Sequence, residues 1–251
     1  MNQKIYLTFL TIITIICVLI GSAIHIFGFA DRFVAHFLPG NDEIRTESDE
    51  KSSLSDQTKK EDTVKLDANI QKIKVDLGVA SLRISHGDEA SISYNMSKES
   101  LVPEITQKNG TLRLKQRGIS NASSLFSDAT VNISITVPFE VVKTLDISIG
   151  VGNVVIEDLS FNNVSIETGT GDTTIDSCSF HKLDIENGIG NVAVSGLEHL
   201  HDFDYDLECG IGDIQLDGET YGREYEHKAD KDSQIGRIEV EIGTGNINIK
   251  E

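Results

Sequence analysis

Between residues 199 and 208 the chain reads His-Leu-His-Asp-Phe-Asp-Tyr-Asp-Leu-Glu. Phe203, Tyr205 and Leu207 alternate with Asp202, Asp204, Asp206 and Glu208. On a strand this alternation buries the large side chains on one face and sets four carboxylates on the other, about 7 Å apart in sequence order. A row of carboxylates suits a divalent cation, which takes about 6–8 oxygen ligands, or a cationic peptide. It equally describes a solvated strand face whose charge discourages edge-to-edge pairing. The plainer description is the main expectation, with Asp202, Asp204, Asp206 and Glu208 kept as a candidate acidic binding stripe.

A second pattern is Gly-x-Gly-Asn/Asp, which occurs five times: Gly150-Val-Gly152-Asn153, Gly169-Thr-Gly171-Asp172, Gly188-Ile-Gly190-Asn191, Gly210-Ile-Gly212-Asp213 and Gly243-Thr-Gly245-Asn246. Calcium-binding β-rolls repeat every nine residues with Asp at fixed places. Here the spacing is longer and three of the five acceptor positions are neutral Asn. A phosphate loop would need a Walker or GxGxxG pattern ahead of a helix, and none is present. The ten glycines are therefore expected to be structural turns, with no metal and no cofactor.

Catalysis finds little support. Paired carboxylates can hydrolyse glycosides, but among 40 acidic residues some suitable pair is almost inevitable. There is no G-x-S-x-G elbow, and His181 and His227 have no nucleophile at a diagnostic spacing. No catalytic residue is expected, and the chain is read as not an enzyme.

Composition narrows the partners. The chain has 251 residues, 22 basic and 40 acidic, for a net charge of -18. Such a body repels phosphates, so nucleic acid is excluded as a partner. Three cysteines rule out a disulfide framework. Cys178 and Cys209 fall in different columns of the repeat described next and two units apart. That is about 10 Å at the inter-strand spacing, beyond the roughly 7 Å a disulfide can bridge. Both are expected to be buried thiols.

The glycine motifs must be positioned by a repeat. Their first glycines are separated by 19, 19, 22 and 33 residues, and each motif lies between two short runs of alternating apolar and polar residues. Three residues before the first glycine stand Ile147, Ile166, Ile185, Leu207 and Val240; four after it Val154, Thr173, Val192, Ile214 and Ile247; six after it Ile156, Ile175, Val194, Leu216 and Ile249. Period two means a strand with one buried face. A unit of about twenty residues cannot bury that face alone, but stacked units can. The fold class is thus all-β, a β-solenoid or parallel β-helix-like repeat domain, with glycine supplying a positive φ at each corner. The side chain of the following Asn or Asp can bond to the turn backbone, or to its equivalent in the next unit. Residues 220–233 are expected to be a loop excursion. A faded copy begins at Ile73, with Gly78, Ala80 and Ser81 in the motif places and Val75 and Ile84 in the columns. Asn109-Gly110 signals a hairpin.

The run VDLGVASLRI, the ITVP before the repeat block and the iterated I-x-x-G-x-G-N/D resemble the bacterial putative-adhesin family of unknown function over about residues 64–251. The resemblance implies a β-strand-repeat domain, often membrane-anchored and in some Gram-positive bacteria associated with cell-envelope stress. It carries over no catalytic residue.

From Ile5 to Ala30 there is no Lys, Arg, Asp or Glu. As a helix this segment would be about 39 Å long, enough to cross a bilayer of about 30 Å. A cleaved signal would have a shorter apolar stretch, although Gly28-Phe29-Ala30 offers a cleavage site; an uncleaved anchor is favoured. The expected organisation is a tail at 1–4, an anchor at 5–30, a juxtamembrane helix end and charged linker at 31–63, and the repeat domain at 64–251. The domain would lie outside the cytoplasm on a single-pass membrane protein. Expected partners are the membrane, envelope components, cationic peptides or a membrane protein, in a binding role or, alternatively, as a regulatory component of an envelope-stress response.

Overall fold

A computed structural model describes residues 60–67, 69–97, 101–116, 131–138 and 142–251. The expected anchor at 5–30, most of the linker and the segment 118–128 lie outside these residues. Among the described residues no helix is long and apolar enough to cross a membrane.

The described chain is built from strands: β1 (Lys60–Lys65), β2 (Lys72–Val79), β3 (Ser81–His86), β4 (Ser91–Met96), β5 (Glu104–Lys108), β6 (Thr111–Lys115), β7 (Val131–Val137), β8 (Thr144–Val151), β9 (Val154–Glu157), β10 (Asn163–Thr170), β11 (Thr173–Asp176), β12 (Lys182–Ile189), β13 (Val192–Ser195), β14 (Phe203–Ile211), β15 (Ile214–Leu216), β16 (Glu219–Gly222), β17 (Glu224–His227), β18 (Gly236–Thr244) and β19 (Ile247–Ile249). The all-β class expected from the alternating pattern holds. The first strand begins at Lys60, four residues ahead of the boundary drawn at 64, and pairs antiparallel with β4.

Each repeat contributes one strand to each of two sheets. The sheet orders are β1-β4-β7-β3-β9-β11-β13-β19-β15-β16 and β17-β14-β18-β12-β10-β8-β2-β6-β5. The central pairings are parallel and in register, as in Ile147↔Ile166↔Ile185↔Val240↔Leu207. The predicted columns are the core: Ile147, Ile166, Ile185, Leu207 and Val240 are at most 2% exposed, and Thr173, Val192, Ile214 and Ile247 are fully buried. Burying such an aliphatic side chain contributes about 1.5–3 kcal/mol, so the columns are the main source of cohesion. Val75 and Ile84 of the faded copy join them through Val75↔Ile147 and Ile84↔Ile156.

Coil order departs from sequence order. The last repeat, β18–β19, is inserted between β12–β13 and β14–β15. The fourth repeat is therefore pushed outward. Residues 219–227 are not a loop excursion, as expected for 220–233, but two edge strands. β16 closes one sheet on β15 and β17 closes the other on β14, both antiparallel. Only the stretch after His227 connects back to β18 as a loop. Between them β16 and β17 carry Tyr221 and Tyr225, whose rings lie 4.4 Å apart across the end of the core.

The corners differ from expectation in one respect. Only the second glycine of each motif has a positive φ, between 139° and 147°. The first is required by close approach: a Cβ at Gly169 or Gly188 would stand 2.5 Å from the carbonyl oxygen of the first glycine in the neighbouring coil. A further corner on the far side of each unit, at Asp158, Ser177, Gly196 and Asp217, also holds positive φ. Hairpin β5–β6 turns at Asn109 and Gly110, with φ of 50° and 72°, as the dipeptide predicted.

Candidate functional site

The acidic stripe is dispersed into separate local roles. Asp202 belongs to a 3-10 turn at Leu200–Asp202 and not to the strand, so it is out of line with the other carboxylates. The strand starts only at Phe203 because Leu200 and Phe203 are both drawn into the core. Asp204 accepts hydrogen bonds from the Ala229 amide and the Gln234 side chain, both at 2.9 Å, which pins the returning loop. Asp206 is bound by Arg237 at 2.9 Å. Glu208 is exposed and, among the described residues, is in no ion pair. Phe203, Tyr205 and Leu207 are buried as predicted, and the Tyr205 hydroxyl donates to the Leu200 carbonyl at 2.7 Å.

The Asn/Asp positions form a ladder along the corner. Asn153 Oδ1 accepts from the Asp172 amide at 2.9 Å; Asp172 Oδ1 accepts from the Asn191 amide at 2.8 Å; Asn191 Oδ1 accepts from the Asn246 amide, and Asn246 Oδ1 from the Asp213 amide, each at 3.1 Å. These oxygens are committed to the neighbouring coil's backbone. Among the described residues no three His, Cys, Asp or Glu side chains are grouped to hold a metal ion.

Cys178 and Cys209 are buried and unpaired. Because β18–β19 intervenes, they are three coils apart and not two. Burial pushes the Cys178 thiol up to about 11, with Asp158, Asp176 and Glu157 adding to the shift. A thiol held neutral in this way is a poor nucleophile.

Stacking creates a second acidic row, which runs across the strands and not along one. Two residues before each first glycine stand Ser148, Glu167, Glu186, Glu241 and Glu208, in spatial order. Glu224 of β17 extends the row beyond Glu208. The five glutamates are exposed and lie at the inter-strand spacing of about 4.8 Å. Among the described residues none of them is in an ion pair. The next acidic row is neutralised: Asp184 by Lys182 at 3.1 Å, Asp206 and Glu239 by Arg237, and Asp146 by Lys74 at 2.8 Å. Burial and the like charges of Glu167 and Glu241 push the Glu186 carboxyl up; burial, Glu241, Asp206 and Glu224 do the same at Glu208. The signal was present in the sequence as a column two residues before the glycine.

Beside this row the first glycines form a floor without side chains. Glu167, Glu186 and Glu241 with Gly169, Gly188 and Gly243 line a channel of about 340 Å³. The residue between the two glycines of each unit forms another in-register row. In spatial order these are Val79, Val151, Thr170, Ile189, Thr244 and Ile211, all paired in register. Every one is β-branched, and Val151, Ile189 and Ile211 are 43%, 57% and 68% exposed. This arrangement offers charge and shape to a ligand; it contains no nucleophile.

Residues 70–251 match the profile of the Toastrack DUF4097 family. The crystal structure of a putative cell adhesion protein from Clostridium sporogenes has the same fold, with a TM-score of 0.66 and 21% identity, over 77% of this chain and 99% of that one. A putative adhesin from Bacteroides fragilis aligns at a TM-score of 0.36 with 14% identity, over 77% of this chain and 97% of that one. No curated protein matches this chain.

Proposed function

The chain belongs to the Toastrack DUF4097 family, and on that premise we propose that it is a non-catalytic binding protein: a β-solenoid-like domain held on the outer side of the cell membrane by the apolar segment 5–30. The observation that carries the binding role is the face of β17, β14, β18, β12 and β10, where five exposed glutamates stand in register and, among the described residues, none is in an ion pair. Like charges at this spacing cost stability. A ladder kept unneutralised while its neighbour is neutralised is better suited to a ligand than to folding. The similar Clostridium sporogenes structure, that of a putative cell adhesion protein, supports a binding role.

The same ladder favours a second version of this role. A field of this sign draws cationic peptides or a basic membrane partner to the surface, as a regulatory component of an envelope-stress response would need.

The test uses the full chain in detergent or nanodiscs, titrated with cell-wall glycan and with a cationic peptide at two salt concentrations. Binding that weakens as salt rises is expected. Glycan hydrolysis abolished by a single carboxylate substitution would overturn the non-catalytic reading. Protease accessibility of residues 60–251 from the cytoplasmic side only would overturn the external placement.

A further inference from the structure

Resting on the membrane placement above, we propose that the row Val151, Thr170, Ile189, Thr244 and Ile211 is a lipid-contacting edge, by which the domain lies against a zwitterionic headgroup surface of its own membrane. The row is a product of the repeat. Each member stands between the two glycines of a motif, and parallel pairing brings the five into one line. The line runs along a corner: β8 ends at Val151 and β9 begins at Val154, and the other units turn at the same place. With glycine on both sides, no adjacent side chain of the strand rises beside a member of the row. The result is a convex edge about 19 Å long at about 4.8 Å per step.

The fold does not require aliphatic side chains here. Extended backbone favours a β-branched residue, and Thr170 and Thr244 meet that demand with a polar one. Val151, Ile189 and Ile211 are nevertheless 43%, 57% and 68% exposed, and they are three of the six exposed large hydrophobic residues among the described residues. Single apolar residues scattered over a surface are ordinary. Half of them gathered in one in-register row call for a surface that covers them.

Lipid fits that surface on three grounds. The apolar segment 5–30 ends shortly before the domain: residues 31–59 separate it from β1, and fully extended they reach at most about 100 Å. The bilayer is therefore held at high local concentration, and a contact too weak for a free protein becomes sufficient. The edge is convex, so it sinks into a fluid boundary directly, whereas a protein partner would need a matching groove. Charge then excludes a second copy and selects the lipid. Glu167, Glu186, Glu241 and Glu208 lie three residues before the edge, about 10 Å away, and Asp172 and Asp213 lie two residues after it. Two copies meeting edge to edge would bring these like charges together. The same carboxylates repel anionic headgroups, while at a zwitterionic surface they stay in water as the aliphatic side chains reach the acyl boundary.

The experiment uses the full chain in phosphatidylcholine nanodiscs, with an environment-sensitive fluorophore on single cysteines and nitroxide-labelled acyl chains as quencher. The native Cys178 and Cys209 are buried and stay unlabelled. Cys17, within segment 5–30, reports the anchor. In a Cys17→Ser background, Thr244→Cys reports the edge and Asn248→Cys the exposed face of the other sheet. Quenching at 244 is expected to exceed that at 248 about two-fold or more, and to weaken when anionic phosphatidylglycerol is added at low salt. It should fall to the level of 248 in the variant Ile189→Ser with Ile211→Ser, whose melting transition stays unchanged because both side chains are exposed. Equal quenching at the two sites overturns the proposal, as does quenching at 244 that the double variant keeps or that anionic lipid strengthens. An apolar shift of emission at 244 without quenching means a protein occupant, a second copy or another partner, and also overturns it. Quenching at Cys17 in any of these cases leaves the membrane placement standing; its absence removes the placement and this proposal together.

Discussion

A methyl group added at Gly169 would lie 2.5 Å from the carbonyl oxygen of Gly150 in the adjacent coil. Three glycines separate the two reasons for glycine at a corner. Gly169 has the close approach alone, Gly218 has a positive φ of 81° with nothing within 4 Å, and Gly171 has both a positive φ of 144° and an approach to Gly152 closer still. Gly218→Ala is expected to cost about 1–2 kcal/mol, the usual penalty of a left-handed conformation. Gly169→Ala should cost more, because the obstructing atom is backbone shared by two ladders. Gly171→Ala should abolish cooperative unfolding. Chemical denaturation of the three variants checks the order, and equal losses would mean that stacking does not constrain these positions.

Thr173 is fully buried between Val154 and Val192 in the same column, and its hydroxyl has no hydrogen-bond partner. Burying a hydroxyl without a partner costs about 1–3 kcal/mol. Thr173→Val keeps the shape and removes the polar atom, so the variant should be more stable by about 1 kcal/mol. The midpoint of urea unfolding should rise with an unchanged slope. A lower midpoint would show that the hydroxyl has a role the fold does not reveal.

The Glu186 carboxyl is pushed up from its ordinary 4.5, first by burial and then by Glu167, Glu241, Asp184 and Glu239. An acid whose folded pKa exceeds its unfolded value favours the folded state when protonated. That contribution is complete below pH 4.5 and is lost as pH rises through the raised value. Glu186→Gln should therefore stabilise the protein at pH 7 and have little effect at pH 4. The group is largely exposed, so the gain at neutral pH is small, about 0.2–1 kcal/mol or roughly 1–3 °C in Tm. Thermal melts at both values test the sign, and a gain confined to acid pH would contradict it.

Much of this was legible in the chain because period-two columns translate directly into buried faces. Ile147, Ile166 and Ile185 could be placed from the columns alone, whereas the corner ladder of Asn153, Asp172 and Asn191 was one of two arrangements open to those side chains. The order of the coils could not. Each unit presents the same columns above and below, so nearest-neighbour packing accepts Val240 beside Ile185 as readily as Leu207. The edge strands were hidden for a related reason. Glu219–Gly222 and Glu224–His227 are mostly polar and exposed, and resemble loop sequence until a terminal coil gives them a partner. The stripe failed at Asp202 because a left-handed residue at His199 starts a 3-10 turn where strand was expected. The glutamate ladder was not legible along any one strand, because its members lie in separate repeats and meet only when the coils stack.

The inserted last coil makes a prediction about which outward-facing residues are neighbours. In the structure Glu186 pairs with Glu241, and Glu241 with Glu208. Stacking in sequence order would instead place Glu186 beside Glu208. Adjacent parallel strands bring Cα atoms within the roughly 4.4–6.8 Å a disulfide accepts, whereas strands two steps apart are about 10 Å distant. The double variant Glu186→Cys with Glu241→Cys should therefore oxidise to an intramolecular disulfide, and Glu186→Cys with Glu208→Cys should not. The native Cys178 and Cys209 are buried and will not compete. Mass spectrometry after mild oxidation of the folded protein distinguishes the two pairs. Efficient cross-linking of 186 to 208 would show that the fourth repeat, and not the fifth, follows the third. The glutamate row would then be reordered, and β16 and β17 would no longer close the end of the stack.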